Sequence, residues 1–237
     1  MTTTDNNNNS EPTQVPQVRL VALSQPVGDI EGPQTPEDVV VYCARASNSK
    51  NQSNFETGAR LLRYLGTHKH WSPFEMVSIN MEIVTTRDIA RQILRHRSFS
   101  FQEFSQRYAE VKDFAYREAR LQDVKNRQNS LQLDSEDERS KQILDDWEES
   151  QATVWDFAVS HYEKALRDGV AKEQARALLP EGMAVSVMYM MGSLRSWIHY
   201  VDLRSGPETQ LEHRLIAEEC KSLISKHFPN VALAMDW

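Results

Sequence analysis

The sequence has little cysteine and no long hydrophobic run. Only Cys43 and Cys220 occur among 237 residues, which is too few for a disulfide framework or a cysteine-based zinc site. No stretch approaches the roughly 18 apolar residues that a transmembrane helix needs. The amino terminus lacks a basic segment followed by an apolar one, the pattern of a secretory signal peptide. These absences predict a cytoplasmic protein without membrane contact.

The sequence also lacks the glycine motifs that bind phosphate. Its eight glycines form neither G-x-G-x-x-G nor G-x-x-x-x-G-K-S/T, so neither a Rossmann fingerprint nor a P-loop is present. The net charge is −7, from 27 Lys and Arg against 34 Asp and Glu. Because binding of nucleic acids depends on cationic contacts to phosphates, this balance argues against general affinity for DNA or RNA. A bound phosphate would therefore be held by a local set of side chains.

Composition and pattern indicate a globular α+β protein. Hydrophobic residues make up 40% of the chain and charged residues 26%, which is ordinary for one domain with a substantial core. Residues 1–17 carry a Thr/Asn run and two prolines, so they are predicted to be a disordered tail before a single domain over 18–237. Strands mix with long helices without regular βα alternation, which favours a mixed or antiparallel sheet.

Local patterns predict the individual elements. Period-two alternation over 74–84 predicts the clearest strand, and 18–23 is a shorter strand candidate. Thr35, followed by proline, is expected to be the N-cap of a helix. The capping-box sequence that begins at Ser135 predicts a long helix over 135–168. Further helices are predicted over 55–67, 172–179, 193–203 and 208–227, and 184–191 fits a buried strand or a buried helix.

The densest cluster of cations lies at residues 87–107. Five arginines stand there against two acids, which gives a local charge of 5 − 2 = +3. The spacing of Ile89 and Ile93 predicts a helix that ends just before Arg-His-Arg at 95–97. Arginine forks bind phosphate oxygens in a bidentate way, so the cluster suits a nucleotide or a pyrophosphate. A solvated basic helix end is an alternative, and so is a non-catalytic protein that binds nucleotides or RNA through this helix.

Two histidines and one acid precede the predicted strand. His68, His70 and Glu75 could suggest a metal site, but no further cluster of ligands supports one. The same residues also fit an exposed loop before the strand. We therefore expect no bound metal.

The order of residues around the arginines is more specific than their charge. Arg-His-Arg at 95–97 is followed by seven residues and then by Ser105, Arg107 and Tyr108. This pattern resembles the signature of the flavin-dependent thymidylate synthases, and the resemblance covers roughly 37–107 and 171–212. Three other stretches resemble the same family: Ala-Arg-x-Ser at 44–47, His-x-His-x-x-Pro-Phe-Glu at 68–75, and Leu203-Arg204 with Arg195 nine residues before it.

The resemblance implies a specific reaction. Members of the family methylate dUMP to dTMP, with methylenetetrahydrofolate as carbon donor, NADPH as reductant and FAD as hydride relay. They are homotetramers whose active sites combine residues from several subunits. By resemblance, we expect this chain to be such an enzyme, with dUMP, folate and NADPH as its partners and no role in binding nucleic acid.

The resemblance also implies roles for individual residues. Arg204 would act on the substrate as the catalytic cation. Arg45 and Ser47 are secondary candidates for flavin contact, and a plain helix end is the alternative interpretation of these two residues. The residues implied to contact flavin are His70, Ser72, Arg95, His96, Arg97, Glu103, Arg195 and His199. The residues implied to contact dUMP are Gln92, Arg95, Glu103, Phe104, Ser105, Gln106, Arg107, Arg176 and Arg204.

Methylation at C5 of a uracil ring requires activation of that carbon. Flavin-free thymidylate synthases add a cysteine thiolate to C6, but Cys43 and Cys220 lie within helical patterns and resemble small buried hydrophobes. Ser105 has no partner base in the sequence, and a hydroxyl is a weak nucleophile without one. The other route uses a hydride from reduced flavin and a fixed cation near the N3–C4 edge of the ring. By resemblance to the family, that cation would be Arg204.

Three positions depart from the family pattern. Glu208 and Met76 stand where many members have histidine, and His199 stands where some have asparagine. These departures affect the residues implied to contact the flavin. The residues that would bind phosphate groups match the family pattern. A family member that binds flavin without turnover is therefore a further alternative.

Overall fold

The computed structural model describes residues 11–28 and 32–237. Its strands are β1 (Gln17–Leu23), β2 (Ser78–Thr86), β3 (Ser100–Glu103), β4 (Arg120–Gln122), β5 (Ser130–Gln132) and β6 (Val185–Ser193). Its α-helices are α1 (Pro36–Ala44), α2 (Gly58–Thr67), α3 (Arg87–Ile93), α4 (Glu138–Arg167), α5 (Lys172–Ala175), α6 (Leu194–Arg204), α7 (Leu211–His227) and α8 (Pro229–Ala234).

The described residues form two compact units. The first, called here the sheet unit, comprises residues 16–28, 32–84, 90–103 and 187–237. The second, called the long-helix unit, comprises residues 11–15, 85–89 and 104–186. Among the helices in the described ranges, none combines the length and the hydropathy needed to cross a bilayer.

The sheet unit contains most of a four-stranded sheet with the strand order β1-β2-β6-β3. The β1–β2 and β3–β6 pairs are antiparallel, with Leu20 opposite Met81 and Phe101 opposite Met190. Side chains of a strand alternate between its faces, and Met81 and Met190 are both fully buried on one face. The expected α+β fold with an antiparallel sheet is confirmed.

Helices α6 and α7 cover the sheet unit's core. Helix α6 begins directly after β6, where the hydroxyl of Ser193 accepts a hydrogen bond from the amide of Ser196 and so caps the helix. Trp197, which is fully buried, donates its indole N–H to the carbonyl of Ile79 at 3.1 Å. Because this bond joins α6 to β2, it fixes the rotation of α6 about its own axis and therefore which side of the helix carries its polar residues. Helix α7 packs against α6 and β1.

The long-helix unit has its own core, built on the 30-residue helix α4. Trp155 of α4 stacks on Phe114 with 4.8 Å between ring centroids. Tyr162 of the same helix is buried, with 2% of its surface exposed. Arg117 binds the start of α3 within this unit, through a 2.5 Å ion pair with Asp88 and a 2.9 Å bond to the hydroxyl of Thr86. The residues that lead into the arginine segment are therefore anchored.

Several predicted elements agree with the structure. Thr35 is the N-cap of α1, in a capping box with Asp38. The strand at 18–23 and the helix at 193–203 appear as β1 and α6, each within one residue of its expected bounds. The segment 184–191, for which strand and helix were both open, is the strand β6.

Three local predictions were wrong. The long helix α4 begins at Glu138, and its N-cap is Asp137 rather than Ser135, because the Asp137 carboxylate accepts the amide of Ser140. The strand expected from residue 74 begins only at 78, because the proline-containing segment Ser72–Met76 forms a 3-10 turn. The helix predicted over 208–227 begins at 211, and a further helix, α8, follows it after the proline at 229.

The predicted tail at 1–17 falls partly outside the described residues, which exclude 1–10. Within the described part, the amide of Thr13 donates to the carbonyl of Phe114 at 2.7 Å. Gln17 is the first residue of β1. The division into a tail and one domain over 18–237 stays a prediction.

We expect Gly192→Ala to destabilise the fold. A Cβ at this position in β6 would lie 2.5 Å from Cδ1 of Phe99, and that ring is held edge-on against Trp197 at 4.9 Å. Because the ring cannot easily withdraw, the free energy of unfolding should fall by about 1–3 kcal/mol, as measured by chemical denaturation. Gly182→Ala is the matched control, because a Cβ there meets nothing within 4 Å. Equal midpoints for the two variants would contradict the expected clash.

Candidate active site

The Arg-His-Arg segment at 95–97 follows directly after α3. Ile89 and Ile93 of this helix are fully buried, so the opposite face of α3 is polar. The chain leaves the helix through tight turns, in which the amide of Arg95 donates to the carbonyl of Gln92 and the amide of His96 to that of Ile93. As a result the His96 ring is half-buried, while the arginines on either side of it are exposed.

The predicted catalytic residue Arg204 contacts the centre of this segment. It is the last residue of α6, and its Nε–H donates to Nε2 of His96 at 2.9 Å. A ring nitrogen that accepts must carry a lone pair, so the proton of His96 lies on Nδ1. Burial and then the positive charge of Arg204 lower the pKa of His96 to about 4. Two predicted residues that are 108 positions apart are therefore joined, with His96 neutral.

A second buried histidine, His213, belongs to the same cluster. It is fully buried and its ring centroid lies 6.1 Å from that of His96. Its Nδ1 is 3.4 Å from Oε1 of Gln92, and its Nε2 is 3.1 Å from the hydroxyl of Tyr200. Burial and then the charge of Arg204 lower the pKa of His213 to about 3. Gln92, a predicted substrate contact, is thereby tied to the residues around Arg204.

Sequence reasoning missed His213 and Tyr200. The buried residues of α7 are His213, Ile216, Ala217, Cys220 and Ile224, which recur at intervals of three and four. Such spacing marks the apolar face of a helix. A histidine at the first position of this face was therefore a detectable signal of a buried, hydrogen-bonded side chain.

The residues predicted to contact flavin from α6 share one cleft. This cleft has a volume of about 450 Å³. Arg195 and His199 line it, and Arg195 is ion-paired with Glu75. The ring of Trp71 meets that of His199 edge-on, with 4.8 Å between centroids. The remaining lining residues are Ser98, Ser193 and Ser196.

The other two predicted flavin contacts from this region are exposed. Ser72 opens the 3-10 turn that also contains Glu75, so it lies one short turn from the cleft's ion pair. His70 lies edge-on to Tyr64 at 5.8 Å, and Tyr64 in turn stacks on His68 at 4.0 Å. Within residues 11–28 and 32–237, no group of His, Cys, Asp and Glu is arranged to hold a metal ion.

A second cavity, of about 510 Å³, surrounds the predicted secondary contacts Arg45 and Ser47. Arg60 also lines this cavity. Arg45 donates one Nη2 hydrogen bond to Thr57 at 2.8 Å, but its Nη1 is buried with no hydrogen-bond partner among the described residues. A buried guanidinium nitrogen without an acceptor is costly. An acceptor from a bound ligand would remove that cost.

In the long-helix unit, two predicted dUMP contacts, Arg107 and Arg176, converge on Glu173. Nε of Arg107 binds the carboxylate of Glu173 at 3.1 Å. Nε of Arg176 donates to the backbone carbonyl of the same residue at 3.2 Å. The structure therefore places these two arginines beside one another, and the exposed Arg107–Glu173 pair is weak enough to exchange for a phosphate.

The residues between the arginine segment and Arg107 have varied environments. Glu103 is half-buried in β3, opposite Met188 in the ladder, and Phe104 is 37% exposed. Ser105 accepts the amide of Arg107 at 3.4 Å, and no base is bonded to its hydroxyl in the described part of the chain. Gln106 is 3% exposed, and its Nε2 has no hydrogen-bond partner among described residues.

Neither cysteine is disposed to act as a thiolate. Cys220 is fully buried in α7 and Cys43 is partly buried near the end of α1. Burial raises the pKa of both thiols above the ordinary value. The expectation that they behave as small hydrophobic residues fits these environments.

Comparison with known proteins gives consistent similarities. The family model described as thymidylate synthase complementing protein matches residues 30–230. A flavin-dependent thymidylate synthase from Synechocystis sp. is 50% identical over 229 residues, which covers 93% of this chain and 99% of the relative. A probable flavin-dependent thymidylate synthase from Paramecium bursaria Chlorella virus 1 is 45% identical over 219 residues, with coverage of 92% and 98%.

A solved structure is also similar over nearly the whole chain. It is the UMP/dUMP methylase PolB from Streptomyces cacaoi, bound with 5-Br dUMP. The TM-score is 0.79 and the sequence identity 26%, with coverage of 96% of this chain and 97% of PolB.

The lowered pKa values of His96 and His213 predict a pH-dependent stability. Histidine in an unfolded chain titrates near 6.5, whereas the native values are about 4 and about 3. Between these limits the unfolded state binds more protons, so stability is present above pH 6.5 and is lost as the pH falls. We expect His96 to account for a decrease of roughly 2 kcal/mol in unfolding free energy between pH 7 and pH 5.

This prediction is tested by urea unfolding across that pH range. His96→Asn should make the profile shallower, because one of the two histidines whose proton uptake favours unfolding is gone, while His213 keeps its contribution. The same substitution at the exposed His227 serves as control and should keep the wild-type slope. A His96 variant as sensitive to acid as the wild type would contradict the assignment.

Proposed function

We propose that this chain, which belongs to the thymidylate synthase complementing protein family of flavin-dependent thymidylate synthases, methylates dUMP to dTMP with FAD as hydride relay. Methylenetetrahydrofolate would supply the carbon and NADPH the reducing electrons. The observation that carries the proposal is the 2.9 Å bond between Arg204 and His96. It joins the Leu-Arg pair to the Arg-His-Arg segment, the two motifs whose combination is specific to this chemistry.

Arg204 is proposed as the catalytic cation. Activation of C5 without a thiolate requires negative charge to develop on the pyrimidine, and a fixed guanidinium near the N3–C4 edge stabilises that charge in the transition state. His96 receives the Nε hydrogen of Arg204, which orients the guanidinium and leaves its Nη groups for the ring. Because His96 is neutral, it does not compete with Arg204 for the negative charge of the substrate.

The residues of the sheet unit fit a flavin dinucleotide. Arg45 carries a buried nitrogen with no acceptor among the described residues, beside a cavity. The other cleft is lined by Arg195 and by the ring of His199, which Trp71 contacts edge-on. FAD, when bound, supplies the hydride. We propose that the exposed Arg95 and Arg97 bind its pyrophosphate. The other proposed contacts are His70, Ser72, His96, Glu103, Arg195 and His199.

The substrate is proposed to be held by a second set of residues. Arg107 and Arg176 converge on Glu173 and would exchange that partner for the phosphate of dUMP. Support for Gln106 comes from its buried amide without a hydrogen-bond partner in the described chain. The further proposed contacts are Gln92, Arg95, Glu103, Phe104, Ser105 and Arg204.

We also propose a cytoplasmic homotetramer whose active sites are shared among subunits. The two cysteines are free, which suits a reducing compartment. Shared sites are supported by the exposure of the flanking arginines at 95 and 97, which a neighbouring subunit could cover together with the cofactor. Nucleic acid is not a proposed partner.

The Arg204→Ala variant tests the proposed chemistry. Wild-type protein should bind FAD and convert dUMP to dTMP with methylenetetrahydrofolate and NADPH. Arg204→Ala should keep bound flavin yet lose turnover by at least about 100-fold, since one preorganised charge contact is worth that much. The measurement combines the flavin absorption spectrum with product analysis. Arg214→Ala, on the neighbouring helix α7 and paired with Glu218, is the control. Turnover at the wild-type rate in Arg204→Ala would contradict the proposed role of Arg204 as the catalytic cation.

The Arg97→Ala variant tests the proposed cofactor contact. Loss of one cation from the pyrophosphate should weaken FAD binding roughly 10-fold or more, so the purified protein should lose yellow colour and regain it only at higher FAD concentration. Arg63→Ala removes an exposed arginine of α2 and should leave the titration unchanged. Undiminished flavin retention in Arg97→Ala would argue against the contact.

A further inference from the structure

Five side chains of the sheet unit form a continuous chain of hydrogen bonds from the surface to the core. Gln210 Nε2 donates to the carboxylate of Glu212 at 2.9 Å. Gln92 Nε2 donates to Gln210 Oε1 at 2.8 Å. His213 lies between Gln92 Oε1 at 3.4 Å and the Tyr200 hydroxyl at 3.1 Å. Glu212 is half-buried, whereas Tyr200 and His213 are at most 1% exposed.

The carboxylate of Glu212 fixes the direction of the whole chain. An ionised carboxylate only accepts, so Gln210 must turn its amide nitrogen towards Glu212 and its oxygen towards Gln92. Gln92 must then donate to Gln210, which leaves the Gln92 oxygen facing His213. That oxygen needs a donor, so the imidazole proton lies on Nδ1. Nε2 then accepts from the hydroxyl of Tyr200.

We infer that His213 is a positioning residue, which holds the amide oxygen of Gln92 inward so that its amide N–H group faces the nucleotide. This inference rests on the proposed function, in which Gln92 contacts dUMP. One N–H of Gln92 is used by Gln210. The other is presented to an oxygen acceptor of the substrate, either a phosphate oxygen or a carbonyl of the base.

The surroundings of His213 suit this task. A relay of this kind needs a neutral ring with one proton, because an imidazolium would donate from both nitrogens. Burial, and then the nearby Arg204 and His96, lower the pKa of His213. A core position that needed only apolar packing would be filled by leucine or isoleucine, as at Ile216 and Ile224 on the same face of α7.

The first experiment determines the tautomer of His213 without reference to activity. Nitrogen-15 NMR of the wild-type protein labelled at histidine, with His213→Asn used for assignment, should show the Nδ1–H form. Glu212→Gln replaces the anchoring acceptor by an amide that can also donate, so the His213 signal should shift towards a mixture of tautomers. Glu218→Gln, on the same helix, should leave the signal unchanged. An Nε2–H form in the wild type, or no response to Glu212→Gln, would overturn the inference.

The second experiment compares two substitutions of His213 by steady-state kinetics. His213→Leu keeps bulk but removes the donor to Gln92, and should raise the KM for dUMP about 10-fold while kcat stays within about twofold. His213→Asn places an amide N–H near the former Nδ1 and should restore KM to within about threefold of wild type. His227→Leu, an exposed site on α7, controls for the substitution. The dissociation constant of dUMP, measured on the flavin-loaded protein, should change in the same direction as KM in each variant.

The outcomes separate this inference from the proposed function. Wild-type protein that neither binds nor converts dUMP would overturn both the function and the role of Gln92, whatever the tautomer. Wild-type protein that binds dUMP, with His213→Leu binding equally well, would overturn the inference alone. If His213→Leu does not fold, Glu212→Gln remains decisive, because its expected change in the His213 tautomer is caused by a half-buried side chain outside the core.

Discussion

The hydrogen bond between Arg204 and His96 is the interaction on which the rest of the site depends. A partly buried guanidinium must keep its hydrogen-bonding partners, and an anionic partner would neutralise the charge that the proposed chemistry needs. A neutral imidazole satisfies one N–H of Arg204 at 2.9 Å without cancelling its charge. The same bond joins the end of α6 to the turn after α3, so the positions of both motifs are set together.

This arrangement constrains the surrounding core. Two histidines, His96 and His213, are held neutral by burial and by Arg204, so acid opposes the folded state through both of them. Tyr200 is buried and its ring lies beside both histidine rings, with centroids 4.9 Å from His96 and 5.8 Å from His213. The sheet must therefore accommodate a polar cluster beneath α6 and α7, and the Trp197–Ile79 bond fixes the helix against the strand where this cluster begins. Burying polar groups here lowers the stability of the fold, and in return the guanidinium of Arg204 is held in one orientation.

The sequence alone was sufficient for those features that depend on local order. The capping of α1 at Thr35 and the bounds of α6 follow from a few adjacent residues. The family resemblance predicted Arg204 and His96 individually as site residues. Their contact could not be predicted, because it closes a separation of 108 residues and depends on how α6 packs. The same holds for Gln92 and Gln210, 118 positions apart. Ser135 is not the N-cap because the helix begins later, where the carboxylate of Asp137 accepts the amide of Ser140.

The hydrogen-bond chain that ends at Tyr200 shows why residue identity is not enough to specify such a site. A glutamine amide can present either its oxygen or its nitrogen, and a neutral histidine can carry its proton on either nitrogen, so Gln92 and His213 are each ambiguous in isolation. The ambiguity disappears only when a group with a single role, the carboxylate of Glu212, ends the chain. In the proposed reaction, which uses no cysteine nucleophile, catalysis would depend on charges and donors that are already oriented. The residues proposed to set those orientations would then matter as well as those that touch the substrate. The sequence around His213 indicates a buried, hydrogen-bonded side chain, but it does not indicate which group that side chain orients.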